Sequence, residues 1–198
     1  LADELSRCTF TNFKRAKQIL DEMAEQITQQ SPFEVRLQYR RCAAFLENQW
    51  QNYSGALEHA DRAVSILERL ADTLALVEMW ADISGIRQNL RQWNAAQECI
   101  DKARRYLPEN ATPRLHAQID CREGFLHLHL GNTTNALDSL LKAEEGLMNL
   151  GQDASLKEYY MLTLTLSGLG EVYERLNEQE KSLDAYQRVL PVVEKHSL

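Results

Sequence analysis

The residues of this 198-residue chain best suited to chemistry are five histidines, four cysteines and a set of carboxylates spread along its length. His127 and His129 form the tightest histidine pair. On a helix, positions i and i+2 point about 200° apart, so one metal ion cannot take both. His59, His116 and His196 stand alone, with no thiol or carboxylate cluster at ligand spacing. Cys8, Cys42, Cys99 and Cys121 include no C-x-x-C pair that would suggest zinc or redox work. Isolated thiols in a Leu-rich chain read as small buried hydrophobes of a reducing compartment, which places the chain in the cytoplasm. Gly168-Leu169-Gly170 imitates a phosphate loop, yet it lacks the third glycine and follows no strand. Glu144-Glu145 and the series Glu171, Glu174, Glu178, Glu180 read as solvated helix faces. With no nucleophile elbow, H-E-x-x-H or Walker pattern either, the expectation is a protein that is not an enzyme and uses no cofactor.

The elements that carry these residues follow from composition. Leu occurs 30 times and Ala 20, against 14 for Val and Ile together, a balance that favours helix over strand. Lys and Arg number 22 against 29 Asp and Glu, for a net charge of −7. Net acidity opposes unaided binding to phosphate backbones, so no direct nucleic-acid partner is expected. Seven basic side chains fall between Arg87 and Arg122, a surplus read as ordinary solvated helix surface. The apolar runs stop far short of the ~20 residues a bilayer span needs, so no membrane partner is expected either.

A repeat organises the chain. Ala16, Ala56, Ala96 and Ala136 stand 40 residues apart, followed seven positions on by Met23, Ala63, Ala103 and Ala143. Between them lie Leu20, Ala60, Ile100 and Leu140, and three positions ahead Phe13, Tyr53 and Trp93. A further copy with Ser182, Tyr186 and Val189 follows after 46 residues. The spacing i, i+4, i+7 makes one helical stripe, and its small residues let helices approach closely. Each stripe predicts the second helix of a pair: 12–29, 53–70, 93–107, 133–149 and 179–195. First helices are predicted near 32–48, 73–90, 113–130 and 155–176. A capping box at Ser31-Pro32-Phe33-Glu34 opens the first of these, Asp72 caps the second and Thr112-Pro113 opens the third. The result is one domain over 1–198, with a partial repeat at 1–30 and full repeats near 31–71, 72–111, 112–150 and 151–198.

These residues resemble the tetratricopeptide repeat family, whose pattern runs W-x2-L-G-x2-Y, then A-x3-F, then P. Leu166-x2-Leu169-Gly170-x2-Tyr173 with Ser182-x3-Tyr186 matches most of it, and Trp80-x2-Ile83-Ser84 with Ala96-x3-Ile100 and Pro108 matches another subset. Arg40 and Asp120 occupy the tryptophan slot in other copies, and Glu47, Arg87 and His127 the tyrosine slot. The period exceeds the family's ~34 residues, like the long-helix variety of these repeats. The resemblance implies an all-α, right-handed superhelical solenoid of antiparallel helix pairs, about ten helices in contact almost only with their neighbours. It also implies a concave groove lined by first helices that holds a protein or peptide. Carried over position by position, the groove takes Gln38, Arg41, Phe45 and Asn48 from one pair, Gln88 and Asn89 from the next, and Gln118, Phe125 and His129 from the third. Asn and Gln suit main-chain capture because each both donates and accepts. Phe45 stands beside Arg41 where the family's carboxylate clamp has asparagine, so that clamp is not expected.

The expected function is therefore a non-catalytic protein- or peptide-binding scaffold. The alternative is a regulatory sensor module of a larger bacterial-type signalling protein or transcription regulator. Both readings expect further repeats or an output domain in the same chain, and self-association through open solenoid ends. At the last end, Pro191 is expected to kink or stop the helix, leaving Val192, Val193 and Leu198 uncovered.

Overall fold

The structure is a computed structural model that describes residues 2–148, 150–151 and 154–196. The described residues form ten helices and no strand. They are α1 (Ala2–Thr11), α2 (Phe13–Gln26), α3 (Phe33–Gln49), α4 (Tyr53–Leu70) and α5 (Thr73–Asn89). There follow α6 (Trp93–Tyr106), α7 (Pro113–His129), α8 (Thr133–Leu147), α9 (Leu156–Arg175) and α10 (Gln179–His196). No helix among the described residues is long and apolar enough to cross a membrane.

The alanine ladders explain how the helices pack. Ala16, Ala56, Ala96 and Ala136 are all fully buried, as are Ala63, Ala103 and Ala143 seven residues on. Glycines on the facing helices tighten the same seam: a Cβ on Gly170 would lie 2.5 Å from the Tyr186 ring, and one on Gly124 2.6 Å from Leu140 Cγ. The strongest packing is accordingly within the pairs α3–α4, α5–α6, α7–α8 and α9–α10.

The reversal between the two helices of each pair is also repeated. Gln51, Arg91, Gly131 and Asn177 all adopt positive φ, between 56° and 78°. At each, two hydrogen bonds close the preceding helix. After α3, the Asn52 N–H donates to the Glu47 carbonyl at 2.9 Å and the Gln51 N–H to the Asn48 carbonyl at 3.1 Å. This left-handed closure satisfies carbonyls that the helix end would otherwise orphan. Asn52, Asp72, Thr112 and Ser155 then cap the N-termini of α4, α5, α7 and α9 through their side chains.

Several expectations need correction. The capping box at Ser31 does not form: the Ser31 hydroxyl instead accepts the Thr28 N–H at 3.0 Å, and Pro32 occupies the cap position without a side-chain bond. α2 ends at Gln26 rather than 29, because Ile27 turns extended and packs on the core of the first helices. The capping box that does form is at Ser155, where the hydroxyl accepts from Glu158 N–H and the Glu158 carboxylate accepts from Ser155 N–H. Pro191 lies inside α10, which runs on to His196. Pro191 itself is exposed, and Val192 and Val193 are half-buried. Leu198 lies outside the described residues. Packing is not confined to neighbours along the chain either. α9 reaches back across the first helices to touch α1, and its side chains meet α3 and α5.

Candidate functional site

The first helices α1, α3, α5, α7 and α9 together enclose a chamber of about 610 Å³, partly open to solvent. α3 contributes one stripe at helical spacing: Gln38, Arg41 with Cys42, Phe45 and Asn48. α5 contributes Met79, Asp82 and Ile86, again three or four residues apart, and α7 contributes Arg122. α9 supplies Leu156, Lys157, Tyr160 and Met161, with its capping residue Ser155, and Thr9 of α1 completes the wall. α3 and α5 pack less closely than the other adjacent first helices, which leaves the space. α9 bridges the gap: the Tyr160 ring meets Phe45 edge-on at 5.3 Å, and Gln49 Nε2 donates to Tyr160 Oη at 3.2 Å.

The polar part of the wall is an ionic cluster. Arg41 donates to the Glu78 carboxylate. Lys157 Nζ reaches Asp82 Oδ2 at 2.8 Å and Glu78 Oε2 at 3.4 Å. Arg122 Nη2 lies 3.6 Å from Asp82 Oδ1, and Gln118 Nε2 donates to the same oxygen at 3.1 Å. Burial alone would push the Asp82 carboxyl up, but Lys157 and Arg122 outweigh it and hold its pKa below the usual carboxylate value. Asp82 is therefore a charged group. Arg122 is the least satisfied member of the cluster. Its guanidinium lies over Gly85, where a Cβ would come within 2.9 Å of it. Among the described residues its Nε is buried without a hydrogen-bond partner, and its Nη2 also reaches Met161 Sδ at 3.9 Å.

The nine residues expected to share one groove fall into four places. Gln38, Arg41, Phe45 and Asn48 line the chamber. Gln88, Asn89 and His129 border a separate shallow hollow with Arg91 and Trp93. The two places are joined where Asn89 Nδ2 donates to Asn48 Oδ1 at 2.9 Å. Gln88 is nearly buried and is used structurally, donating to the Arg122 carbonyl at 2.9 Å and to Ser84 Oγ at 3.1 Å. His129 stacks on the Trp93 indole at 5.3 Å, and burial lowers its pKa. Gln118 is buried behind the ionic cluster, where it props Asp82. Phe125 packs with Leu128, Leu140 and Leu169 between α7, α8 and α9. The structure does not gather all nine of these residues in one hollow. α7 packs against α5 on one side and α9 on the other, so its stripe is consumed by both contacts.

Asp82, Arg122, Lys157 and Tyr160 are the wall residues that helical spacing did not single out. Glu78 and Asp82, one turn apart within an otherwise apolar segment of α5, carried a readable signal; Lys157 and Tyr160 carried none until α9 was positioned. The other ionisable groups serve packing. Burial raises the Cys99 thiol to about 11 and raises Cys121 as well, so both remain protonated and unreactive. Among the described residues no group of three His, Cys, Asp or Glu side chains stands close enough to hold a metal ion.

No protein-family model matches this chain, and no curated protein matches it. Among solved structures it is similar to BtubC (BKLC) from P. vanneervenii, with a TM-score of 0.62 and 16% sequence identity over 91% of this chain and 73% of that one. At that identity the likeness is one of helical fold alone.

Proposed function

We propose that this chain is a non-catalytic binding module of the tetratricopeptide-repeat type, a right-handed solenoid of helix pairs with a long period. Its inner face engages a protein or peptide segment. The observation that carries this reading is the partly open chamber between α3, α5 and α9, with the Asn48–Asn89 amide pair beside it. Amides that satisfy each other in the free protein can exchange that bond for the N–H and C=O groups of an extended chain. The four positive-φ reversals and the buried alanine ladders support the repeat assignment.

A second reading is favoured by one observation. α9 is held across the chamber by Lys157 and Tyr160, so an occupant would bear directly on the position of one helix. That coupling would suit a sensor module within a larger regulatory protein.

The test uses peptides selected against the chain from a random display library. Replacing Asn48 and Asn89 together with Ala removes both partners of one bond and leaves neither orphaned. Affinity for an inner-face peptide should fall by about tenfold, the worth of one or two hydrogen bonds, with an unchanged circular-dichroism spectrum. Selected peptides that bind the double variant and a Phe45→Ala variant as well as the parent would refute the peptide reading.

A further inference from the structure

The chamber has a size, a lining and a charge imbalance that together specify a ligand. Its volume of about 610 Å³ lies within the ~300–1,000 Å³ range of small-molecule sites. Most of its wall is apolar, including Phe45, Met79, Ile86, Leu156 and Met161. Against that wall stand the guanidinium groups of Arg41 and Arg122 and the ammonium of Lys157, faced by two carboxylates, Glu78 and Asp82. Among the described residues of this cluster one positive charge is left over. The groups are mostly buried, with side-chain exposure from 17% at Arg122 to 33% at Glu78, so water compensates the surplus poorly. The imbalance is concentrated at Arg122, which is held over Gly85 and, among the described residues, has no protein oxygen nearer than Asp82 Oδ1 at 3.6 Å. A buried guanidinium in that state calls for an anionic acceptor.

We propose that the chamber is a binding site for a small carboxylic acid with an apolar body. The carboxylate brings the one negative charge that neutralises the cluster and can take a fork of N–H donors from Arg122. A phosphate monoester carries about −1.5 to −2 at neutral pH and would overshoot that balance. The apolar body lies among the methionines and Phe45. This inference goes beyond the peptide reading: both use the chamber, but Asn48 and Asn89 would hold a peptide's main chain, whereas Arg122 and Lys157 would hold a carboxylate.

The probes are decanoate, 1-decanol of equal chain length, and decyl phosphate. The chain has four methionines, of which Met79 and Met161 line the chamber while Met23 and Met148 lie elsewhere. With methyl-labelled methionine, decanoate should shift the NMR signals of Met79 and Met161 and leave those of Met23 and Met148. By calorimetry it should bind at least about tenfold more tightly than 1-decanol, as a charge-assisted hydrogen bond requires, and more tightly than decyl phosphate, whose further charge the cluster leaves unbalanced. Arg122→Gln should remove that advantage; if its circular dichroism shows it unfolded, Lys157→Gln is read instead. The proposal is overturned if decanoate leaves the Met79 and Met161 signals unmoved, if 1-decanol or decyl phosphate binds as well, or if the folded variant keeps the parent's preference. It is likewise overturned if a Leu-ending decapeptide with a free carboxylate shifts those methyls and decanoate does not. That outcome would assign the chamber to a chain end and leave the peptide reading standing.

Discussion

Gly124→Ala is the substitution whose cost the structure specifies most closely. Alanine is the better helix former by about 1 kcal/mol, so propensity alone predicts stabilisation. Sterics oppose it. A Cβ at 124 would lie 2.6 Å from Leu140 Cγ, 2.9 Å from its Cδ2 and 3.3 Å from its backbone nitrogen. Leu140 has little room to retreat, because it is fully buried in the core that α7, α8, α9 and α10 share. Either the rotamer is forced or α7 and α8 must separate, at an overpacking cost of about 2–3 kcal/mol. The net expectation is a loss of about 1–2 kcal/mol after the propensity gain is subtracted. Urea denaturation followed by the fluorescence of Trp50, Trp80 and Trp93 measures it, read as a lower midpoint at constant slope. Gly55→Ala is the control, since the atom it meets at 2.6 Å is the exposed end of the Asn52 side chain, which can swing aside at a change within about 1 kcal/mol. Combining Gly124→Ala with Leu140→Ala should recover part of the summed losses, because the second change removes the colliding atoms. A Gly124→Ala chain as stable as its parent would refute the claim that close helix approach, rather than helix propensity, sets this residue.

The reversals between helices make a paired prediction. Gln51 is held at φ 63° and Gly131 at 78° with nothing within 4 Å of its would-be Cβ, so backbone conformation alone decides both. Gln51→Gly should stabilise and Gly131→Ala destabilise the fold, each by about 1 kcal/mol, as shifts of the urea midpoint in opposite directions. His59 makes a pH prediction. Burial, then Arg40, lowers its pKa below 6.5, with Glu47 and Glu58 opposing and Arg62 assisting, and Arg40 Nη1 lies 2.9 Å from its Nδ1. A base depressed in the fold contributes stability that is present above its unfolded value and lost as pH falls toward the folded one. Thermal midpoints of the parent should therefore drop below pH 6.5, and those of His59→Gln should drop less; equal slopes would refute the assignment.

The parts of this fold written in local spacing were legible. Alanines 40 residues apart are buried in four successive second helices, and Asp72 and Thr112 act where their types predict. Ser31 was misread because a nearer donor, the Thr28 N–H, competes for its hydroxyl, and spacing alone does not weigh two donors. The candidate site was legible on α3, where one stripe faces the chamber, and in the Glu78–Asp82 pair of α5. On α7 the same rule failed, since a stripe about 100° wide is shared between two packing partners.

The chamber itself arises from a break in the repeat. The last interval in the ladder is 46 residues rather than 40, and part of the excess lies in α9, which has 20 residues where α3, α5 and α7 have 17 each. Three further residues add about 4.5 Å of helix. The ends of these helices are fixed by the repeated reversal, at Asn177 as at Gln51, Arg91 and Gly131, so the extra length extends the start of α9. That start holds Lys157, which crosses to Asp82 and Glu78, and the capping box at Ser155 and Glu158 that fixes where the helix begins. A strictly periodic fourth pair would begin one turn later and lack the lysine that meets α5. The irregular interval is therefore the sequence's own mark of the site: where the period lengthens, the chain stops merely stacking and reaches across its inner face.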